Sequence, residues 1–453
     1  MSKSLGNVID PLDVTKGASL EHLLSTLSSN TNMSVEEKDQ SRKDLTLQYP
    51  HGIPECGVDG LRFALCSYLE GGDMSGTINL DVQRAVSARH MCNKLWNASK
   101  FILASSSNTT ATCSVSPIGS SVPPSNTGQH RLMDRWMLSR VATTVRSVNA
   151  NMDEYRLGNV TSVLRNHLIQ DLCDVYIELA KNDVGNPIVQ ETLHSVLLTY
   201  LKLLHPIMPY VTEEIYQAIV AAPVHNKGEP GEQNELGELG EPGSVHSIMS
   251  AAYPVFEGEW DEWWDESVET EFNTIIMEPA KAIRSLKKLA ADTFGKEMTQ
   301  EMYVHLLVVD EGGEKATGSS GSLLSTLQSN VGHVRQLCRH QAVELVDAEQ
   351  GSEHDSGLPC LARTLVLPDG ASVVVRVYVP KMKQEDMEHA HSRIAQELKR
   401  ISNRQKKTLK QMEKLLTLTA RATYVETAPA HVQEGHTMKI NMNSEQMWRT
   451  WTK

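Results

Sequence analysis

Val160-Thr161-Ser162-Val163-Leu164-Arg165-Asn166-His167-Leu168-Ile169-Gln170-Asp171-Leu172-Cys173-Asp174-Val175-Tyr176-Ile177-Glu178-Leu179 sets an apolar side chain on one side of each helical turn: Val160, Leu164, Leu168, Leu172, Val175 and Leu179. Steps of four and three residues return to the same face of a 3.6-residue helix, so this segment must bury a stripe against partners. Those partners flank it. Met133, Met137, Val141, Val145 and Val148 form a second stripe, and Leu193, Leu197, Tyr200, Leu201 and Leu204 a third. With a further helix expected over residues 89–101, the pattern predicts an antiparallel helical bundle over residues 59–221. His205-Pro206 ends the third stripe, because proline has no N–H to donate. Thr212 with Glu213 and Glu214 then reads as the cap and first turn of the next helix.

Outside the bundle the composition changes. Residues 17–58 read as an insertion and connector, with a two-turn helix at Leu20, Leu23, Leu24 and Leu27 and loop elsewhere. The Ser/Thr/Pro-rich stretch 105–128 reads as a disordered loop between helices. Residues 222–255 hold an acidic, glycine-spaced flexible loop whose five triplets, broken at Asn234, are too few for a collagen helix. From 256 to 380 a helix near 272–286, kinked at Pro279, precedes strands at 303–309 and 342–346 and a hairpin at 365–379 turning at Pro368-Asp369-Gly370. This predicts a small α/β subdomain. Residues 381–453 form a helical arm, coiled-coil-like through Ile394, Leu398, Ile401, Gln405, Thr408, Met412 and Leu415, with a basic outer face.

The 453 residues suit two to four domains, and 40% hydrophobic content is enough for a core. A net charge of −13 sits poorly with a protein that only wraps nucleic acid, although RNA binding needs only a local basic face. Seven scattered cysteines without a C-x-x-C pair point to a reducing compartment and against a zinc site. His389 and His391 do not share a helical face, so no metal pair is expected. Asp261, Glu262 and Asp265 beside Trp260, Trp263 and Trp264 read as a packed turn with solvated acids. No Ser/His/Asp arrangement emerges. No apolar run approaches the ~20 residues that cross a bilayer.

Met1-Ser2-Lys3-Ser4-Leu5-Gly6-Asn7-Val8-Ile9-Asp10-Pro11 resembles the mobile ATP-binding loop of class I aminoacyl-tRNA synthetases, whose signature is Lys-Met-Ser-Lys-Ser. The first lysine of that signature is absent here. Gly52-Ile53-Pro54-Glu55-Cys56-Gly57-Val58-Asp59-Gly60-Leu61-Arg62-Phe63 resembles the next block of that family. Cys92-Asn93-Lys94-Leu95-Trp96-Asn97-Ala98-Ser99-Lys100-Phe101 and Leu203-Leu204-His205-Pro206-Ile207-Met208-Pro209-Tyr210-Val211 resemble its later ones. Within the family the wording is most similar to the valyl enzymes, with the isoleucyl enzymes the close alternative.

The resemblance implies a mainly α fold: a class I anticodon-binding bundle, then a small α/β subdomain and a C-terminal tRNA-binding arm, incomplete at Lys453. It implies that residues 1–16 are a remnant of the catalytic domain. Lys3 would be the catalytic cation on the triphosphate, with Ser2, Lys3 and Ser4 binding ATP, accompanied by Mg in the complete enzyme. It implies ATP-dependent attachment of valine to its tRNA, from a C-terminal portion that is inactive alone. Its partners would be that tRNA, with valine and ATP in the complete enzyme and a separate catalytic half or other synthetase-complex proteins as further options. No membrane partner is expected. The residence is cytoplasmic, with a mitochondrial one left open. A free-standing tRNA-binding module is the alternative reading.

For tRNA contact the resemblance points to Arg89, Asn93, Lys94, Asn97 and Lys100 on the helix over 89–101, and to Lys399, Arg400, Arg404 and Lys407 on the arm. Trp96 is weighted toward the core. Met91 stands where the family usually has phenylalanine, a stacking partner for a base. Phosphate contacts of this kind weaken steeply with salt.

Overall fold

The computed structural model describes residues 10–31, 33–69, 81–106, 130–221, 247–294, 302–309, 319–340, 342–347, 360–366 and 372–378, with scattered helical positions between 392 and 417. The expectations for Ser2, Lys3, Ser4, Arg404, His389 and His391 lie outside the described residues. So do most of the two expected loops, the turn at 368–370 and the end of the arm. The chain divides into two compact units, residues 1–272 and 273–453.

In the first unit Asp10 caps α1 (Pro11–Lys16), its carboxylate accepting the Leu12 N–H at 2.8 Å. Two helices follow and pack on each other, α2 (Leu20–Ser29) and α3 (Val35–Gln48). The second corrects the expectation of loop after Leu27. It buries none of its residues, so it has no apolar stripe to betray it. A capping box starts it instead: Glu37 N–H donates to Ser34 Oγ, and Ser34 N–H donates to Glu37 Oε2 at 2.9 Å.

The bundle is made of α4 (Gly57–Cys66), α5 (Val82–Ser106), α6 (Leu132–Asp153), α7 (Leu157–Asn166), a π-helical segment (His167–Tyr176), α8 (Ile177–Ala180), α9 (Pro187–Leu204) and α10 (Pro209–Ala221). All three apolar stripes are buried. Helix α9 packs on α5, α6, α7 and α10, while α4 packs on α5, α7 and α10. Gly60 lets α4 come close to α5, since a Cβ there would lie 3.2 Å from the Ala85 carbonyl oxygen. Helix α10 starts at Pro209 rather than Thr212. Proline at the first helical position forfeits no bond, and Thr212 Oγ1 donates back to the Met208 carbonyl at 2.7 Å.

Two short helices, α11 (Glu259–Trp263) and α12 (Glu266–Phe272), lie on α6, where Trp136 stacks on Phe272 at 4.2 Å. Trp260 and Trp263 are buried, as the packed-turn reading expects. Asp265 departs from that reading. Its carboxylate accepts the Ser267 and Val268 N–H groups at the start of α12 and pairs with Arg135 at 3.2 Å.

A polar network ties α6, the π segment and α12 together. Arg140 donates to Asp171 at 3.1 Å and to Glu269 at 3.0 Å, and Ser139 and Thr143 donate to the other Glu269 oxygen. Burial acts to raise the Asp171 carboxyl. The His167 imidazole beside it and the Arg140 guanidinium outweigh burial and hold it below the usual carboxylate range. Burial also depresses His194 and His205. Each folded-state value lies below its unfolded one, so each contribution is present above the unfolded pKa and is lost as pH falls through the folded one. The melting temperature of the bundle should therefore decline first below pH ~6.5, as the histidines charge, and again below pH ~4, as Asp171 protonates. A melting temperature constant from neutral pH to below pH ~4 would contradict this assignment.

The second unit begins with a π-helical segment (Asn273–Met277) that leads into α13 (Glu278–Phe294). The irregularity expected at Pro279 thus falls before it, because proline within a first turn breaks no helical bond. The unit continues as β1 (Tyr303–Val309), α14 (Ser319–Cys338), β2 (Val343–Asp347), β3 (Cys360–Val366) and β4 (Ser372–Tyr378). The sheet order is β2-β1-β4-β3, with β1 and β2 parallel across the α14 crossover and the other pairs antiparallel. Helix α13 packs on β3 and β4, and α14 on β2. Tyr303 stacks on Tyr378 across the ladder at 4.8 Å. Lys399, Arg400 and Lys407 are helical and exposed.

Candidate RNA-binding face

Helix α5 divides cleanly by register. Ala85, Ala88, Met91, Cys92, Leu95, Ala98, Ser99 and Ile102 are buried against the bundle. Arg89, Asn93, Trp96, Asn97 and Lys100 are exposed at steps of four, three, one and three residues, a single solvent face. Trp96 is 41% exposed, which corrects its weighting toward the core. Met91 is 3% exposed and packs inward, so it offers nothing for a base to lie on. Lys94 turns aside from that face. Its ammonium donates to Asp174 at 2.9 Å, so the structure separates it from the other expected contacts on α5, Arg89, Asn93, Asn97 and Lys100.

Beside this face lies a groove of ≈ 480 Å³, bounded by the start of α4, by Arg89, Asn93 and Trp96 of α5, and by Tyr210 and Val211 of α10. Tyr210 is 66% exposed. The sequence reading did not single it out, because the Pro206 to Pro209 punctuation reads only as a helix boundary. The groove's far wall is held in place by α4. Asp59 accepts the Val211 N–H at 2.7 Å and the Tyr210 N–H at 3.3 Å, capping α10 with a carboxylate. Arg62 donates to the Pro206 and Ile207 carbonyls, both at 3.0 Å. Gly57, at a φ of 73°, leaves room for the Arg89 guanidinium, which a Cβ would approach to 3.3 Å.

The two thiols at the groove are not nucleophiles. Burial pushes Cys92 up to about 11 and raises Cys56 as well, so both stay protonated at neutral pH. Among the described residues no cluster of His, Cys, Asp or Glu could hold a metal ion. What the face offers is two exposed aromatic rings, a guanidinium and two side-chain amides. That combination has the chemistry to stack on bases, bond to their edges and neutralise phosphate.

The family described as the anticodon-binding domain of tRNA ligase matches residues 134–295. This segment includes Tyr210 and Val211, and α5 precedes it. The valine-tRNA ligase of Rattus norvegicus is 42% identical over 229 residues, covering 48% of this chain and 17% of its own length. That of Mus musculus is 30% identical over 463 residues, covering 99% of this chain and 31% of its own. That of Schizosaccharomyces pombe is 33% identical over 338 residues, covering 72% and 30%. The chain belongs to the valine-tRNA ligase family. It corresponds to the C-terminal portion of these ligases and spans about a third or less of their length. The anticodon-binding match begins in α6 and runs through α13, so it takes in α10 but neither α4 nor α5.

Proposed function

We propose that this chain takes part in the ATP-dependent attachment of valine to its tRNA, and that its own share is to grip that tRNA through a class I anticodon-binding bundle. The observation that carries this reading is the exposed row Arg89, Asn93, Trp96, Asn97 and Lys100, set beside Tyr210, which lies within the segment that the family matches. Unpaired anticodon bases would lie on Trp96 and Tyr210, with Asn93 and Asn97 meeting their edges and Arg89 and Lys100 the backbone. Lys94 contributes by bracing α5 against Asp174. Lys399, Arg400, Arg404 and Lys407 would add phosphate contacts from the arm. The Lys-Met-Ser-Lys-Ser resemblance supports Ser2, Lys3 and Ser4 as contacts for ATP, a substrate of the complete reaction. Residence in the cytoplasm is consistent with the described cysteines, which are free thiols.

Binding of a deacylated valine tRNA transcript to the full chain, measured at several salt concentrations, tests the proposal. Saturable binding that Trp96→Ala weakens supports it. Equal affinity of the wild type and the Trp96→Ala variant for this RNA sinks it.

A further inference from the structure

On this chain most bundle cations are already spoken for. Arg131 pairs with Asp134 and Asp183, Arg135 with Asp265, Arg140 with Asp171 and Glu269, and Arg156 with Glu154. Arg62 is held on two backbone carbonyls. Arg84 and Arg165 differ. Neither has a carboxylate within 4.0 Å among the described residues, and both line one groove of ≈ 430 Å³ formed by α4, α5 and α7. In a chain of net charge −13, two guanidinium groups that line one groove and have no carboxylate partner among the described residues suit an anionic ligand.

The groove is built rather than merely charged. Arg84 lies over the Tyr68 ring at 4.3 Å, and its Nη1 is 3.5 Å from Ser67 Oγ. The Tyr68 hydroxyl accepts the Asp81 N–H at 2.7 Å, so the ring beneath the guanidinium is itself anchored. Stacking fixes the guanidinium plane and leaves its N–H edge available, the geometry that suits a phosphate. Ser87 and Ser162 add hydroxyls to the lining. Asp81 is the one acidic side chain there, and its Oδ1 accepts the Gln83 N–H at the start of α5.

We infer that this groove binds a phosphodiester of the same RNA, with Arg84 and Arg165 as its two cations, apart from the face that reads bases. The inference rests on the tRNA-binding reading above. Helix α5 supplies both surfaces. Arg84 and Trp96 are separated by ~18 Å along its axis, too far for one nucleotide and within the reach of a folded RNA. Contacts here neutralise charge without touching base edges, so they set position and affinity rather than sequence preference.

The test is the salt dependence of binding between the full chain and a deacylated tRNA transcript. Arg84→Gln and Arg165→Gln should each lower the slope of log affinity against log salt by about 1. Arg84→Lys, which keeps the charge, should retain the slope, and Trp96→Ala should weaken binding with the slope unchanged. If the wild type binds and both glutamine variants keep its slope, the groove is not a backbone site, while the tRNA-binding reading survives. If inorganic phosphate titrated into the chain is captured at millimolar concentration with those slopes still unchanged, the groove serves a small free anion and the inference is overturned. If the wild type does not bind the transcript at low salt, both fall together.

Discussion

Trp96→Ala should reduce affinity for the tRNA transcript by about 5- to 150-fold, the equivalent of ~1–3 kcal/mol for one stacked base. The magnitude follows from geometry. The indole projects from a helix whose other face is buried through Leu95 and Ala98, so its removal opens no cavity in the core. The folded chain should keep its melting temperature, which separates loss of a stacking platform from loss of structure. Tyr210→Ala should act in the same direction and size, since that ring is the more exposed of the two. If both rings hold consecutive bases, the double variant should lose less than the sum, because the first loss already frees the strand that the second ring would hold. Trp96→Phe should recover most of the affinity, as any planar ring offers a π-face. An alanine variant with wild-type affinity would remove Trp96 from the interface.

Much of this arrangement could be read from the chain, and the exceptions share physical causes. The three apolar stripes survived intact because a buried helix face must repeat at the helical period, whatever the loops do. β1 was legible for its dense β-branched and apolar run. By contrast α3 carries only Val35, Leu45 and Leu47 among polar residues, too few to mark a stripe, and the Ser34 to Glu37 capping spacing is its clearer signal. The exposure of Trp96 runs against the usual interior placement of large aromatics. The register of its own helix held the answer, since Met91, Cys92, Leu95, Ala98 and Ile102 leave residue 96 on the opposite side. Tyr210 and the groove of Arg84 and Arg165 depend on contacts between residues far apart in sequence. Asp59 lies some 150 positions from the amides that it caps, and no local pattern records that pairing. The folded arrangement therefore supplies what spacing cannot: which exposed residues meet.

Asp134→Ala should be among the most damaging polar substitutions in the bundle, at about 3–5 kcal/mol if it behaves as the broken half of a buried pair. Its side chain is 0% exposed. One carboxylate oxygen accepts the Tyr176 hydroxyl at 2.7 Å, and the other accepts the N–H and Nε–H of Arg131, both at 3.2 Å. The charge also sits in the first turn of α6, where the helix dipole favours an anion. Alanine strips all of these at once and leaves a fully buried Tyr176 hydroxyl without that acceptor. Part of the cost is relieved at Arg131, which is 35% exposed and keeps Asp183 at 2.9 Å, so the lower end of the range is expected. Tyr176→Phe should cost less, about 1 kcal/mol, because Asp134 retains its arginine. In the Asp134→Ala background Tyr176→Phe should be neutral or stabilising, since it removes the stranded donor. Hydrogen exchange of the α6 amides reads the effect locally, without assuming that the two units unfold together. Additive losses in the double variant would show that the hydroxyl and the carboxylate are not energetically coupled.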